Sequence, residues 1–315
     1  MDIYAIANIV LPVFGLIGLG YLSVWTGFFK PEVGDGLAAF VFNLAIPVLL
    51  FKTLATVEFG HISPLPLFAS YFFGLALVWF TADLVARRVF GRDGITGIVA
   101  GFSAGFSNMV LLGIPLALVA FGPERTLPLF LIVSVQLPLT FSAAMILRAR
   151  RGERDDDTGT LGVLKTIGRD LIRNPIVITI VSGALWGVAG LPLGGPILSI
   201  MDKIAVAAVP CALFAMGMGL RRYGIAGNIR LAVILSVLKL FAVPGLFYLL
   251  ATRVFMLPPD WVIVGTMGAA CPAGVNAWLI ANHFGTGQSI SASTITMTAA
   301  ASIFTISGWL IFLTG

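Results

Sequence analysis

Long apolar stretches recur along the chain, separated by short polar gaps, and ten of them have the length of a spanning helix. Crossing the hydrocarbon layer of a bilayer takes about 20 mostly apolar residues. The stretches run from Ile3 to Gly27, Val33 to Thr53, Leu65 to Val85, Ile95 to Phe121 and Leu127 to Leu147. A second set runs from Pro175 to Leu191, Ile197 to Leu220, Leu231 to Ala251, Trp261 to Phe284 and Ile290 to Leu313. The gaps leave no room for a soluble domain. The pattern predicts an all-α integral membrane protein of ten transmembrane helices.

Composition sharpens this. A length of 315 residues would by itself suggest two soluble domains, but 58% apolar and 10% charged residues are incompatible with solubility. Cys211 and Cys271 both fall inside predicted spans, where a thiol acts as a small apolar residue and not as half of a disulfide. The first apolar stretch is preceded only by Asp2, with no basic region, and is too long for a signal peptide, so it is read as the first span.

The net charge of +5 reports topology, not nucleic acid. Fourteen Lys and Arg, among them Lys30, Arg87, Arg88, Arg148, Arg173, Arg221 and Arg230, fall in loops on one side, against Lys52, Arg125 and Arg253 on the other. By the positive-inside rule the basic side is cytoplasmic, so both termini are expected outside the cell's inner (plasma) membrane.

The most polar segment, Arg148 to Arg173, contains Glu153, Arg154 and three successive aspartates, Asp155 to Asp157. Adjacent aspartates can chelate a cation, but a mixed-charge loop of this kind is read as a solvated cytoplasmic connector. It divides the chain into a first repeat (1–147), a linker (148–174) and a second repeat (175–315). Sliding the chain by 163 residues places Pro12 on Pro175, Gly20 on Gly183, Gly27 on Gly190, Pro47 on Pro210 and Phe51 on Phe214, and superimposes all five spans. Five spans is an odd number, so the second repeat enters the membrane inverted, the plan of many secondary transporters.

Two spans in matching positions carry helix breakers at mid-membrane depth. The fourth holds Ser107, Asn108, Met109 and Pro115; the ninth holds Cys271, Pro272 and Asn276. Pro115 and Pro272 each remove an amide donor and free the carbonyl four residues earlier, so both helices are expected to be interrupted there. Interrupted backbone persists in a membrane only where protein or a cavity satisfies it. Paired half-helix N-termini near the midplane would suit a carboxylate, and the amides of Asn108 and Asn276 can donate to it without adding charge. The competing reading is that these asparagines only bond across helices. Gln136 and Asn43 are secondary candidates of the same kind. Asp202 and Lys203 read as a functional charge or a local ion pair, Lys239 as an anion attractor or a snorkelling lysine. Asp83 beside Arg87 reads as an interfacial ion pair. His61 and His283 lie near loops and are not expected to be ligands.

Four segments carry a family resemblance: Asn43 to Pro47, Asn108 to Pro115, Pro210 to Gly217, and Pro272 to Ala281. On these the whole chain resembles the bacterial auxin efflux carrier family, which includes malonate-type transporters and is related to plant PIN carriers. The resemblance implies a bile-acid-carrier or NhaA-like fold in which spans 1, 2, 6 and 7 form a scaffold and spans 3–5 and 8–10 a moving transport domain, with spans 4 and 9 crossed. It implies that Asn108 contributes to binding an organic anion, that Pro115 and Pro272 are the helix-breaking prolines, and that Gln136 matches a glutamine of the plant proteins. The long central loop of the plant proteins is missing here, and their acidic residue in the third span has no mid-span equivalent, which leaves the coupling ion open.

The reading is a secondary transporter of small carboxylates, malonate- or auxin-like, with no cofactor, coupled to H+ or Na+ or running as a uniporter. Its partners are the organic anion and the lipid bilayer, and a homodimer through the scaffold is carried as an expectation. The alternatives are a membrane-embedded enzyme on a lipid-soluble substrate, which would need paired carboxylates, a His cluster or an activated nucleophile at membrane depth, and a channel, which would need a continuous polar pore.

Overall fold

The computed structural model describes residues 3–56, 63–151, 169, 172–227 and 229–315. Asp2, His61, Lys165 and the acidic run from Glu153 to Asp157 lie outside the described residues. Within them every regular element is a helix: α1 (Ile3–Trp25), α2 (Pro31–Thr56), α3 (Leu65–Arg88), α4 (Gly94–Gly105), α5 (Met109–Phe121), α6 (Leu127–Arg150), α7 (Pro175–Val188), α8 (Gly195–Leu220), α9 (Ile229–Val254), α10 (Pro259–Ala270), α11 (Asn276–Phe284) and α12 (Gln288–Thr314). Seven of these, α1, α2, α3, α6, α8, α9 and α12, are long and apolar enough to cross a membrane.

The surface is inverted relative to a soluble protein. Leu11, Leu19, Phe73, Phe80, Val181, Val206 and Phe304 are exposed, whereas Ser70, Thr266, Thr294 and Thr298 are fully buried. A continuous exposed apolar belt is stable only against lipid. The buried hydroxyls need no water because they donate back along their own helices: Thr266 to the Val262 carbonyl, Thr294 to Ile290 and Thr298 to Thr294.

Helix α4 is the most deeply placed piece, buried from Ile95 to Gly105. Its glycines recur every fourth residue and form one face that lies on α3. A Cβ at Gly101 would strike the Trp79 indole, one at Gly97 the Asp83 carboxylate, and one at Gly105 would press on Leu75. With little hydrophobic drive between helices in lipid, such small-residue contacts let backbones close up and gain dispersion energy. Helices α1, α2, α7 and α8 use the same device. α1 lies on α8 and α2 on α7. A Cβ at Gly20 would collide with the Phe214 carbonyl oxygen, and one at Gly183 would lie 3.0 Å from that of Phe51.

Three of the prolines inside these helices, Pro47, Pro115 and Pro244, are absorbed by widened turns. Five-residue π turns at Val41–Ala45, Met109–Gly113 and Leu238–Ala242 end two residues before Pro47, Pro115 and Pro244. The wider turn relieves the ring clash that an α-helix would suffer. Pro244 frees the carbonyl of Leu240, and the Trp309 indole of α12 donates to it at 3.0 Å. Pro115 therefore does not interrupt its span as the sequence suggests. It sits in the first turn of the α-helical part of α5, and the break lies at residues 106–108.

Ionic contacts hold the ends. Asp83, 3% exposed, accepts from both Arg87 and Arg151 at 2.8 Å, which ties α3 to the C-terminal end of α6. The expected pair with Arg87 is present, and Arg151 joins it. Asp202 pairs across helices with Lys52 at 2.5 Å, not with its neighbour Lys203.

Candidate functional site

The two interrupted segments meet. Phe106 leaves α4 in an extended conformation (ψ 120°), and Cys271 leaves α10 likewise (ψ 148°). The freed backbones then pair antiparallel, Ser107 opposite Ala273. The Asn108 N–H donates to the Pro272 carbonyl at 2.9 Å and the Gly274 N–H to the Phe106 carbonyl at 3.1 Å. Glycine at 274 is required by this approach, since a Cβ would lie 2.6 Å from the Phe106 ring. The Ala273 N–H is taken by the Thr298 hydroxyl of α12 at 3.0 Å. Irregular backbone at membrane depth is thus satisfied by protein groups, as a low-dielectric setting demands.

Ser107 is the hub. Its carbonyl accepts from the Gln136 side-chain amide at 3.1 Å. Its hydroxyl accepts from Lys239 Nζ at 2.7 Å and from the Tyr71 hydroxyl at 3.4 Å, and donates to the Ala269 carbonyl at 3.3 Å. Gln136 also donates to the Tyr71 hydroxyl at 3.1 Å, and Lys239 to the Ala269 carbonyl at 2.8 Å. Lys239 is 0% exposed, so it neither snorkels nor reaches the cavity described below. The buried carbonyl and hydroxyl it meets hold it inward more strongly than the distant headgroups could draw it out.

Beside the pairing lies a cavity of about 690 Å³. Its lining includes the polar residues Ser107, Asn108, Gln136 and Asn276, with Met109 beside them, together with Asn43 from α2. Phe42, Phe106, Leu137, Phe141 and Leu279 make apolar walls, and Met145, Arg173, Asn174 and His283 also border it. The first residues of α5 and α11, Met109 and Asn276, and the residues just before them, Asn108 and Val275, all line it, so both helices begin at the cavity. Asn108 Oδ1 caps α5 through the Leu111 N–H at 3.4 Å. Its side-chain nitrogen and the whole Asn276 side-chain amide have no hydrogen-bond partner among the described residues.

Six of the nine sequence candidates, Asn43, Ser107, Asn108, Met109, Gln136 and Asn276, therefore share one cavity. Three do not line it. Pro115 is buried within α5; Cys271 is buried with its thiol 3.5 Å from the Met267 carbonyl; Pro272 contributes only its carbonyl to the pairing. His283, set aside as a loop residue, borders the cavity because the short α11 carries it there. Tyr71 was missed, although a tyrosine within a span needs a partner for its hydroxyl and so signals a polar spot. Among the described residues no group of three or more His, Cys, Asp or Glu comes together to hold a metal.

Comparison with known proteins bears on the whole chain. A family model described as "Membrane transport protein" matches residues 5–310. A protein of Rhizobium meliloti (strain 1021) named "Putative malonate transporter" is 27% identical over 306 residues, covering 97% of this chain and 95% of its own. "Auxin efflux carrier component 8" of Arabidopsis thaliana is 24% identical over 334 residues, covering 90% of each. An "Uncharacterized transporter" of Methanothermobacter thermautotrophicus is 25% identical over 316 residues, covering 96% of this chain and 97% of its own. These are transporters, which sets aside the reading as an enzyme. Together with the apolar belt and the spanning helices, they make this chain a multi-pass integral membrane transporter that belongs to the membrane transport protein family, the auxin efflux carrier family.

Proposed function

We propose that this transporter is a secondary carrier that holds a small organic carboxylate at the crossover of its broken helices and moves it by alternating access. The observation that carries the proposal is the convergence of two half-helix N-termini and the unpartnered amides of Asn108 and Asn276 on one cavity. Helix N-termini attract an anion through free N–H groups and the positive end of the dipole, each contributing about 0.3–1 kcal/mol or more when partly buried. An amide adds a donor without a fixed charge, so the empty site is not left with an uncompensated cation.

The relatives' names point to malonate and to auxin as substrates of those proteins. In this chain the walls of Phe42, Phe106, Leu137, Phe141 and Leu279 favour a carboxylate carried on an apolar body. Among the described residues Arg173 is the single Lys or Arg lining the cavity. A second carboxylate deep in the site would face apolar side chains.

The path of motion follows from which helices line the cavity. α4 with α5, and α10 with α11, each act as one broken span, giving ten spans in two inverted repeats. In support, the Gly20–Phe214 approach maps onto Gly183–Phe51 when each residue is replaced by its equivalent at the 163-residue offset. Phe42, Asn43, Pro175 and Ile176 come from the scaffold set α1, α2, α7 and α8; the other lining residues of the helices come from α5, α6 and α11, with Phe106 to Asn108 from the break between α4 and α5. A rigid shift of α3–α6 and α9–α12 along the scaffold would carry the site across the membrane. The cavity extends toward Arg173 on the basic side, the inward-facing arrangement if that side is cytoplasmic.

The test is a thermal-shift screen of carboxylates from two to ten carbons on purified protein, followed by counterflow of the best ligand in proteoliposomes. Saturable counterflow, and loss of every ligand-induced shift in Asn108→Ala, are the expected results. An unchanged ligand response in that variant removes the crossover as the site.

A further inference from the structure

Lys239 is a buried cation that the carboxylate site does not use. The residue is 0% exposed and does not line the asparagine amides' cavity, with Nζ 2.7 Å from the Ser107 hydroxyl and 2.8 Å from the Ala269 carbonyl. Neither oxygen is an ordinary helix interior group. Ala269 lies in the last turn of α10, which ends at Ala270, and Ser107 follows the end of α4 at Gly105. Both are therefore at half-helix C-termini, where carbonyls lack intrahelical donors and the dipole is negative. No carboxylate pairs with Lys239 among the described residues. The titratable groups facing it are the Cys271 thiol and, across Ser107, the Tyr71 hydroxyl.

Broken-helix carriers use this kind of place, unwound carbonyls and half-helix C-terminal ends, to coordinate a sodium ion. Here the oxygens are already occupied by an ammonium on a tether. We propose that Lys239 is a built-in cation standing in the sodium position of the crossover, so that this carrier binds and moves its anion without Na+. The tether also supplies the positive charge that the two C-termini need whether or not substrate is present, and holds α9 to the breaks of both repeats through one side chain. The inference rests on the crossover reading above but concerns the cation side of the pairing alone.

Removing the side chain should convert the tethered site into an open one. The assay is thermal unfolding of the purified protein in NaCl against choline chloride at equal ionic strength, with no organic anion present. Wild type is expected to show no difference between the two salts. Lys239→Ala should start lower and gain stability selectively from Na+, by roughly 3–6 °C at ten times the dissociation constant. If Lys239→Ala does not accumulate, Lys239→Gln keeps most of the volume, leaves the position neutral and offers an amide oxygen, and should show the same selective gain. Sodium-specific stabilisation of the wild type overturns the proposal, and so do folded variants that gain nothing from Na+. Because the readout needs no substrate, it is separable from the Asn108→Ala test: Asn108→Ala should unfold identically in the two salts, even if it no longer responds to carboxylates.

Discussion

Asn108 and Gln136 border the same cavity, yet their hydrogen bonds assign them different work, and a paired thermal experiment separates the two. Gln136 is 2% exposed and its side-chain nitrogen is already committed, to the Ser107 carbonyl and to the Tyr71 hydroxyl, both at 3.1 Å. Gln136→Leu keeps the approximate shape while deleting both bonds. Each is worth about 1 kcal/mol net, and an orphaned buried partner costs about 1–3 kcal/mol, so the sum is on the order of 2–4 kcal/mol. At roughly 2–4 °C per kcal/mol this is a fall of about 4–16 °C in Tm. Asn108 instead contributes one long cap bond, 3.4 Å to the Leu111 N–H, and its nitrogen is unengaged. Asn108→Ala should cost about 0.5–1 kcal/mol of stability. Its loss should fall on the ligand: a hydrogen bond to a carboxylate is worth about 1.5–3 kcal/mol, or roughly 10- to 100-fold in Kd. The assay is intrinsic tryptophan fluorescence during heating, with and without a carboxylate that stabilises the wild type. Gln136→Leu should melt early yet still be stabilised by ligand once folded; Asn108→Ala should melt near the wild type and show no shift at ligand concentrations near the wild-type Kd. The reverse pattern, a thermally neutral Gln136→Leu with a fragile Asn108→Ala, refutes the assignment.

Gly20→Val should destabilise by about 1–3 kcal/mol through overpacking against the Phe214 carbonyl, seen as earlier loss of monodisperse protein on heating; Gly183→Val, with 3.0 Å of clearance to Phe51, should be milder. Asp83→Asn removes the carboxylate shared by Arg87 and Arg151, and should lower Tm more than Arg87→Gln does, because Arg87 alone can still find water while Arg151 is the less exposed partner. For Asp93, burial raises the carboxyl, but bonds from the Thr96 hydroxyl and N–H and from the Ile95 N–H outweigh it and hold the carboxyl below the usual range. A depressed value means that this cap stabilises α4 above the ordinary carboxylate pKa and loses its effect as pH falls through the lowered one. Asp93→Ala should thus reduce Tm at pH 7 and converge on the wild type in strong acid, and a constant difference down to pH 2 would argue against the cap.

Much of this arrangement is legible in the residues. The apolar stretches mark helices because lipid tolerates no other regular backbone for a single chain segment, and Pro272 marks its break because it has no amide to give. The break of the other span is harder to place. Pro115 looks like the stronger signal, but a π turn absorbs it, while Phe106 to Asn108 open because the partner backbone at 272–274 supplies the missing bonds. Partners far away in sequence explain the other misreadings. Lys239 turns inward because Ser107 and Ala269 await it, and Asp202 leaves its neighbour Lys203 for Lys52 on another helix. Short-range pattern carries no record of such pairings.

The crossover is closed by hydrogen bonds between residues more than 160 positions apart in the chain. During synthesis, then, the early helices can enter the bilayer, but their loosened turn at 106–108 waits with bare amides and carbonyls until the far end of the polypeptide arrives. A chain that ends before residue 272 would lack the backbone that closes this turn, so its amides and carbonyls at 106–108 would have to find other partners.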